Sequence, residues 1–160
     1  MRGLIVTTTL VATLLLPGCE KYALDRQMEE LCAKDGGVRV YEKVVLPAEM
    51  FDKTGQLITD SREVLENGTV ILRHVGDKYV IEHLEEVIHP GNPHSGFISE
   101  GRLLKHVTLI KRVSDKKILG AEISYGRTGG DLTLGHPSQN YCPKPRSTPG
   151  VVHAVFTKGD

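Results

Sequence analysis

An uncharged, largely apolar run from Leu4 to Leu16, opened by Met1-Arg2 and closed by Leu16-Pro17-Gly18-Cys19, sets the first limit on this chain. A helix that spans a bilayer needs about 20 apolar residues, and this run is shorter. Its charged start, short apolar centre and small residue before Cys19 fit a secretory signal that is cut away. Residues 1–18 then lie outside the fold, and the rest of the chain folds in an oxidising compartment.

A cysteine directly after that small residue resembles the bacterial lipobox, in which the thiol takes a diacylglyceryl group and becomes the first mature residue. On this reading Cys19 is a lipid attachment site, and the domain meets the membrane through its acyl chains and faces the periplasm. One acyl chain alone is a marginal anchor, at about 0.8 kcal/mol per buried CH₂, whereas two or three hold firmly. Glu20, where inner-membrane lipoproteins tend to have Asp, favours the outer membrane. The competing reading is an ordinary signal peptide, or an uncleaved anchor, with an incidental Cys19.

With Cys19 acylated, Cys32 and Cys142 are the pair left among 3 cysteines, and an exported protein is expected to join them. Such a bridge ties the first mature helix to the far end of the fold, with a stabilisation of at most about 4 to 5 kcal/mol in the chain-entropy model. A free, reactive Cys32 or Cys142 is the alternative. A total of 160 residues with 39% hydrophobic content has room for a single globular domain over 19–143, followed by a C-terminal extension over 144–160. Twenty basic against 20 acidic residues argue against nucleic acid as a partner.

Leu24, Met28, Leu31 and Cys32 recur at helical spacing, and Gly36-Gly37 is a natural stop, so an amphipathic helix follows Cys19 after about one turn of tether. Val38 to Leu46 alternates like a strand. Asn67-Gly68 and Gly76-Asp77 are two-residue hairpin signals between the strand-like runs Arg62–Glu66, Thr69–Val75 and Lys78–Leu84. Leu103–Val113 and Ile118–Tyr125 form a second hairpin, and alternation puts Leu119, Ala121, Ile123 and Tyr125 on one face. A Gly-rich loop, Gly126 to Gly135, and a Pro-rich end follow, with Val151 to Phe156 as an added strand or a loose tail. The expected fold is α+β: an N-terminal amphipathic helix packed on a mainly antiparallel sheet of about five to seven strands.

Several groups of residues could carry chemistry. If Gly76-Asp77 is a two-residue turn, His74 and His83 share a sheet face about 13 Å apart, too far for one zinc. His89 and His94 flank a turn that brings them closer, but two ligands without a third make a weak metal site. Asp131, His136 and Ser138 supply the residue types of a hydrolytic triad without a Gly-x-Ser-x-Gly elbow. The loop with Tyr125, Arg127, Asp131 and His136 is the leading binding surface, since glycines allow close backbone approach and Arg127 can grip a carboxylate. Its competing reading is a bulged turn closed by an internal Arg127–Asp131 pair. No cofactor and no catalytic residue is expected.

Together, Glu30-Leu31-Cys32-Ala33-Lys34-Asp35-Gly36-Gly37, Val40-Tyr41-Glu42, Leu46-Pro47-Ala48, Leu119-Gly120, Tyr125-Gly126-Arg127, Gly129-Gly130-Asp131, His136-Pro137-Ser138 and Cys142-Pro143 resemble a group of small, uncharacterised lipoproteins of Gram-negative bacteria. The resemblance implies an envelope location and a shared fold, and assigns no catalytic residue. The chain departs from the group after Pro143 and at Lys116, where relatives tend to have Gly and where a different loop geometry is therefore expected. The leading function is a non-catalytic binding or accessory protein of the envelope, with an envelope protein as partner. The alternatives are a lysozyme-inhibitor-like lipoprotein, a small His-dependent enzyme using His89, His94 or His136 with or without metal, and a purely structural envelope component.

Overall fold

The computed structural model describes residues 16–60, 62–65, 70–132, 136–144 and 150–159. Helix α1 (Leu16–Asp35) is followed by β1 (Gly37–Val40), β2 (Val44–Leu46), a 3-10 turn (Ala48–Met50) and β3 (Glu63–Leu65). Four longer strands come next: β4 (Val70–Val75), β5 (Tyr79–His89), β6 (Arg102–Arg112) and β7 (Ile118–Thr128). Then follow β8 (Gln139–Cys142), a short helix α2 (Val151–Val155) and β9 (Phe156–Lys158).

The fold is α+β, with a mainly antiparallel sheet of seven strands. Its order is β1-β7-β6-β5-β4-β3, and β8 also pairs with β7. The outer edge of β7 is shared, its first half taken by β1 at Gly120–Ile123 and its second half by β8 at Tyr125–Thr128. A separate parallel pair joins β2 to β9.

Each face of the sheet carries its own core, and the two cores lie towards opposite ends of the strands. On one face Leu24, Met28 and Cys32 of α1 pack on Leu103 and Tyr125. On the other, Val151, Val155 and Phe156 join Leu46, Val75, Ile81, Ile110 and Leu119. Gly120 has no side chain because α2 crosses it: a Cβ there would stand 2.5 Å from Val155 Cγ2. The segment beyond residue 150 is thus a short helix followed by one added strand, β9, which begins at Phe156, where the expected Val151–Phe156 strand would end, and both supply core residues.

Several local expectations need correction. The Val38–Leu46 strand is broken, because the amides of Tyr41 and Glu42 both donate to the Leu119 carbonyl, at 2.8 and 3.0 Å. That pair of bonds turns the chain around the end of β7, and Val44–Leu46 leaves for β9. Helix α1 runs through Cys19 without a separate tether. At the first hairpin Val75 pairs with Tyr79, leaving a three-residue connection in place of the two-residue Gly76-Asp77 turn. The one-residue shift sends His74 and His83 to opposite faces, since side chains alternate along a strand. Leu119 is passed over where the register with β6 shifts, and it joins the α2 core while Ala121 lies on the other face. Lys116 has φ 57°, the left-handed conformation that glycine adopts most readily. The Asn67-Gly68 turn lies outside the described residues.

Candidate functional site

Strand β7 continues to Thr128, so Tyr125 and Arg127 lie within the sheet and not on a loop. Both point to the α1 face, and each is only 1% exposed. Arg127 Nε donates to Asp25 Oδ1 at 2.8 Å, and Nη2 reaches Oδ2 at 3.5 Å. Its Nη1 donates to the Gly129 carbonyl at 2.7 Å and to the carbonyl and hydroxyl oxygens of Ser138 at 3.0 and 2.7 Å. Asn140 Nδ2 completes the cluster with a 3.0 Å bond to Asp25 Oδ1. A buried guanidinium is tolerable only when its donors are met, and the helix and the two loops at Gly129 and Ser138 supply the acceptors here.

One helical turn earlier, Lys21 Nζ donates to Asp131 Oδ2 at 3.0 Å, and the Lys21 amide donates to the Gly130 carbonyl at 3.1 Å. Burial pushes the Asp131 carboxyl up, but the Ser138 hydroxyl, the Lys21 ammonium and the Arg127 guanidinium outweigh it and the pKa is lowered. Asp131 Oδ1 is buried without a hydrogen-bond partner among the described residues. At the other end of α1, Asp35 accepts from Lys105 Nζ at 2.8 Å and from the Tyr125 hydroxyl at 2.7 Å. Lys105 and Tyr125 thereby hold the Asp35 carboxyl below its ordinary value. The Lys105 ammonium also lies 5.6 Å from the Tyr125 ring centroid, within cation–π range.

Lys21, Asp25, Met28, Cys32 and Asp35 recur at spacings of four and three, so they form one stripe along α1. Cys32 on that stripe is bonded to Cys142 on β8. Gly129 permits the close turn after β7: its φ is +80°, and a Cβ would stand 2.5 Å from the Glu100 carbonyl. The glycines and polar residues that suggest a ligand loop are thus largely engaged in docking the helix. The Arg127–Asp131 pair does not form; each residue finds its partner on α1 instead. Sequence inspection finds the apolar half of the stripe and misses Lys21, Asp25 and Asp35. The one hint was their helical spacing from Leu24, Met28 and Cys32.

The remaining candidates are dispersed. His136 is exposed, Ser138 Oγ is taken by Arg127, and Asp131 is taken by Lys21, so the triad is not assembled. His89 Nε2 lies 3.5 Å from Glu20 Oε1. His94 sits in an exposed turn where its amide donates to Asn92 Oδ1 at 3.1 Å. Among the described residues, no group of three or more His, Cys, Asp or Glu side chains could hold a metal ion. No helix among them is long and apolar enough to cross a membrane.

A cleft of about 300 Å³ opens on the opposite face, between α2 and the sheet. Gln56, Thr59, Arg73, His83, Thr108 and Glu122 give it polar groups over an apolar floor. His83 Nδ1 and Thr108 Oγ1 are 3.0 Å apart, and Glu122 Oε2 accepts the Val151 amide at 2.9 Å. Burial, together with the charge of Arg73, holds His83 below its ordinary value, which favours the neutral ring. Neutral imidazole, hydroxyl and guanidinium can donate to an acceptor-rich ligand, while Glu122 Oε2 already accepts from α2. No family model, curated protein or solved structure matches the chain.

Proposed function

We propose that the chain is a lipid-anchored accessory protein of the bacterial cell envelope, held through acylated Cys19, facing the periplasm and binding a partner without catalysing a reaction. The observation that carries the reading is the seam along α1. Beyond Cys19, α1 is fastened by Lys21 to the loop after β7, by Asp25 to β7, by Asp35 to β6 and by a disulfide to β8, so an anchor there would present the domain in a fixed orientation. The Cys32–Cys142 bond suits an oxidising compartment. Glu20 after the cysteine favours the outer membrane over the inner one.

With Arg127 and Asp131 engaged, the cleft beside His83 is the binding surface the geometry supports best. Its edge residue Gln56 is exposed, while His83 lies deeper. The test is site-specific photo-cross-linking in a Gram-negative host, with a photoreactive side chain at Gln56 and, as a control, at Lys116. A discrete adduct from position 56 that is missing from position 116 supports the reading. No adduct from position 56, or catalytic turnover that disappears with His83→Gln, contradicts it.

A further inference from the structure

We propose that the end of the domain at which α1 begins is a bilayer-contacting surface, with Phe97, Ile98 and Leu132 entering the interfacial layer of the membrane. The inference rests on the reading of Cys19 as acylated, and adds to it which face of the domain lies against the lipid. Phe97 is 63%, Ile98 56% and Leu132 53% exposed. Single exposed apolar side chains are ordinary, but these belong to two loops that are joined to each other.

Ile98 and Leu132 form an isolated antiparallel bridge. Beside it the Ser99 amide donates to the Asp131 carbonyl at 3.1 Å, and the Gly130 amide donates to the Ser99 carbonyl at 3.1 Å. The two loops therefore move as one piece. That piece is bonded to the start of the helix through the Lys21 amide and the Gly130 carbonyl. Cys19 is two positions before Lys21, about 3 Å along a helix at 1.5 Å per residue. Acyl chains on Cys19 would therefore enter the membrane directly beside Phe97, Ile98 and Leu132. Tyr22, 73% exposed in the same first turns of the helix, has the amphipathic ring that favours the membrane–water interface.

The position of the anchor favours a bilayer over a protein as the occupant. Firm acyl anchoring holds this end against the headgroups whatever else the domain binds.

The chain has no tryptophan, so one introduced indole reports its own surroundings. The experiment uses the full chain, processed in a Gram-negative host and reconstituted in phosphatidylethanolamine–phosphatidylglycerol vesicles with brominated acyl chains. Phe97→Trp and, separately, Leu132→Trp probe the surface. Val113→Trp is the control, 47% exposed beyond the opposite end of the 11-residue β6, about 33 Å away at roughly 3.3 Å per residue. Both surface probes are expected to lose at least half their emission to the bromine while the control keeps its own. Vesicle-bound protein with all three indoles equally unquenched overturns the contact and leaves the anchor standing. A blue-shifted but unquenched surface probe assigns the patch to a second copy or a protein partner, which also overturns it. If intact mass shows no acyl chain on Cys19, the anchor falls and the contact with it.

Discussion

Asp25 and Arg127 stand 102 positions apart in the chain and share a 2.8 Å hydrogen bond between carboxylate and guanidinium. The bond joins the first helix to the last long strand where the arginine is almost fully buried. It is the centre of a seam that accounts for several of the unusual residues in the sequence.

Replacing Arg127 with Met leaves the Gly129 and Ser138 carbonyls without this donor and Asp25 with Asn140 alone, at a cost of about 3–5 kcal/mol, as when one partner of a buried ion pair is removed. Asp25→Leu alone is expected to be comparably harmful, and the double variant less harmful than the sum. Urea denaturation of the Cys19→Ser domain, run as a double-mutant cycle, reads the coupling.

The Cys32–Cys142 bond spans 110 residues. Replacing both cysteines with Ala is expected to lower stability by up to about 4 to 5 kcal/mol, the chain-entropy value for so long a loop. Because the bond also ties α1 to β8, amide exchange over Lys21–Asp35 should quicken before exchange in β5 and β6. Exchange read by mass spectrometry checks the order.

Acid should weaken the domain in two stages. His83 is held below its ordinary 6.5, so the unfolded chain binds the proton more tightly and stability falls as pH drops from there through the lower folded value. Asp35 is held below its ordinary 3.8 by Lys105 and Tyr125, so its contribution is complete above that value and is lost as pH falls through the folded one. Melting temperatures followed from neutral pH down into the acid range below the ordinary carboxylate value should show the upper stage removed by His83→Gln and the lower stage reduced by Asp35→Asn, with Asp131 supplying part of the remainder.

The last elements should prove essential. Phe156 is 3% exposed and meets Tyr79 edge-on with ring centroids 5.3 Å apart, so Phe156→Ala is expected to cost about 3–5 kcal/mol. Gly120→Ala drives a methyl into α2 and should cost about 1–3 kcal/mol. Thermal unfolding of the two variants measures both.

The strands of the two central hairpins could be read from alternation and turn residues, and the disulfide from the expected compartment. Other features depended on distant partners. Tyr41 and Glu42 look like strand interior until both amides find the Leu119 carbonyl. Tyr125-Gly126-Arg127 reads as the approach to a ligand loop because a lone arginine gives no sign that Asp25 waits on a helix. Val151–Val155 is too short to show a helical period, and its burial follows from the bare surface at Gly120. The cleft was illegible because its residues come from the Gln56–Thr59 segment, four different strands and α2, and a one-residue error at Gly76 sends His74 and His83 to the same face.

Intact mass spectrometry of the full chain, expressed from its own Met1 in a Gram-negative host and extracted in detergent, tests the proposed anchor most directly. The account predicts a chain that begins at Cys19, carries a diacylglyceryl group with or without a third acyl chain, and is lighter by two hydrogens for the Cys32–Cys142 bond. A chain that retains residues 1–18, or one that is cut but carries no lipid, would contradict it.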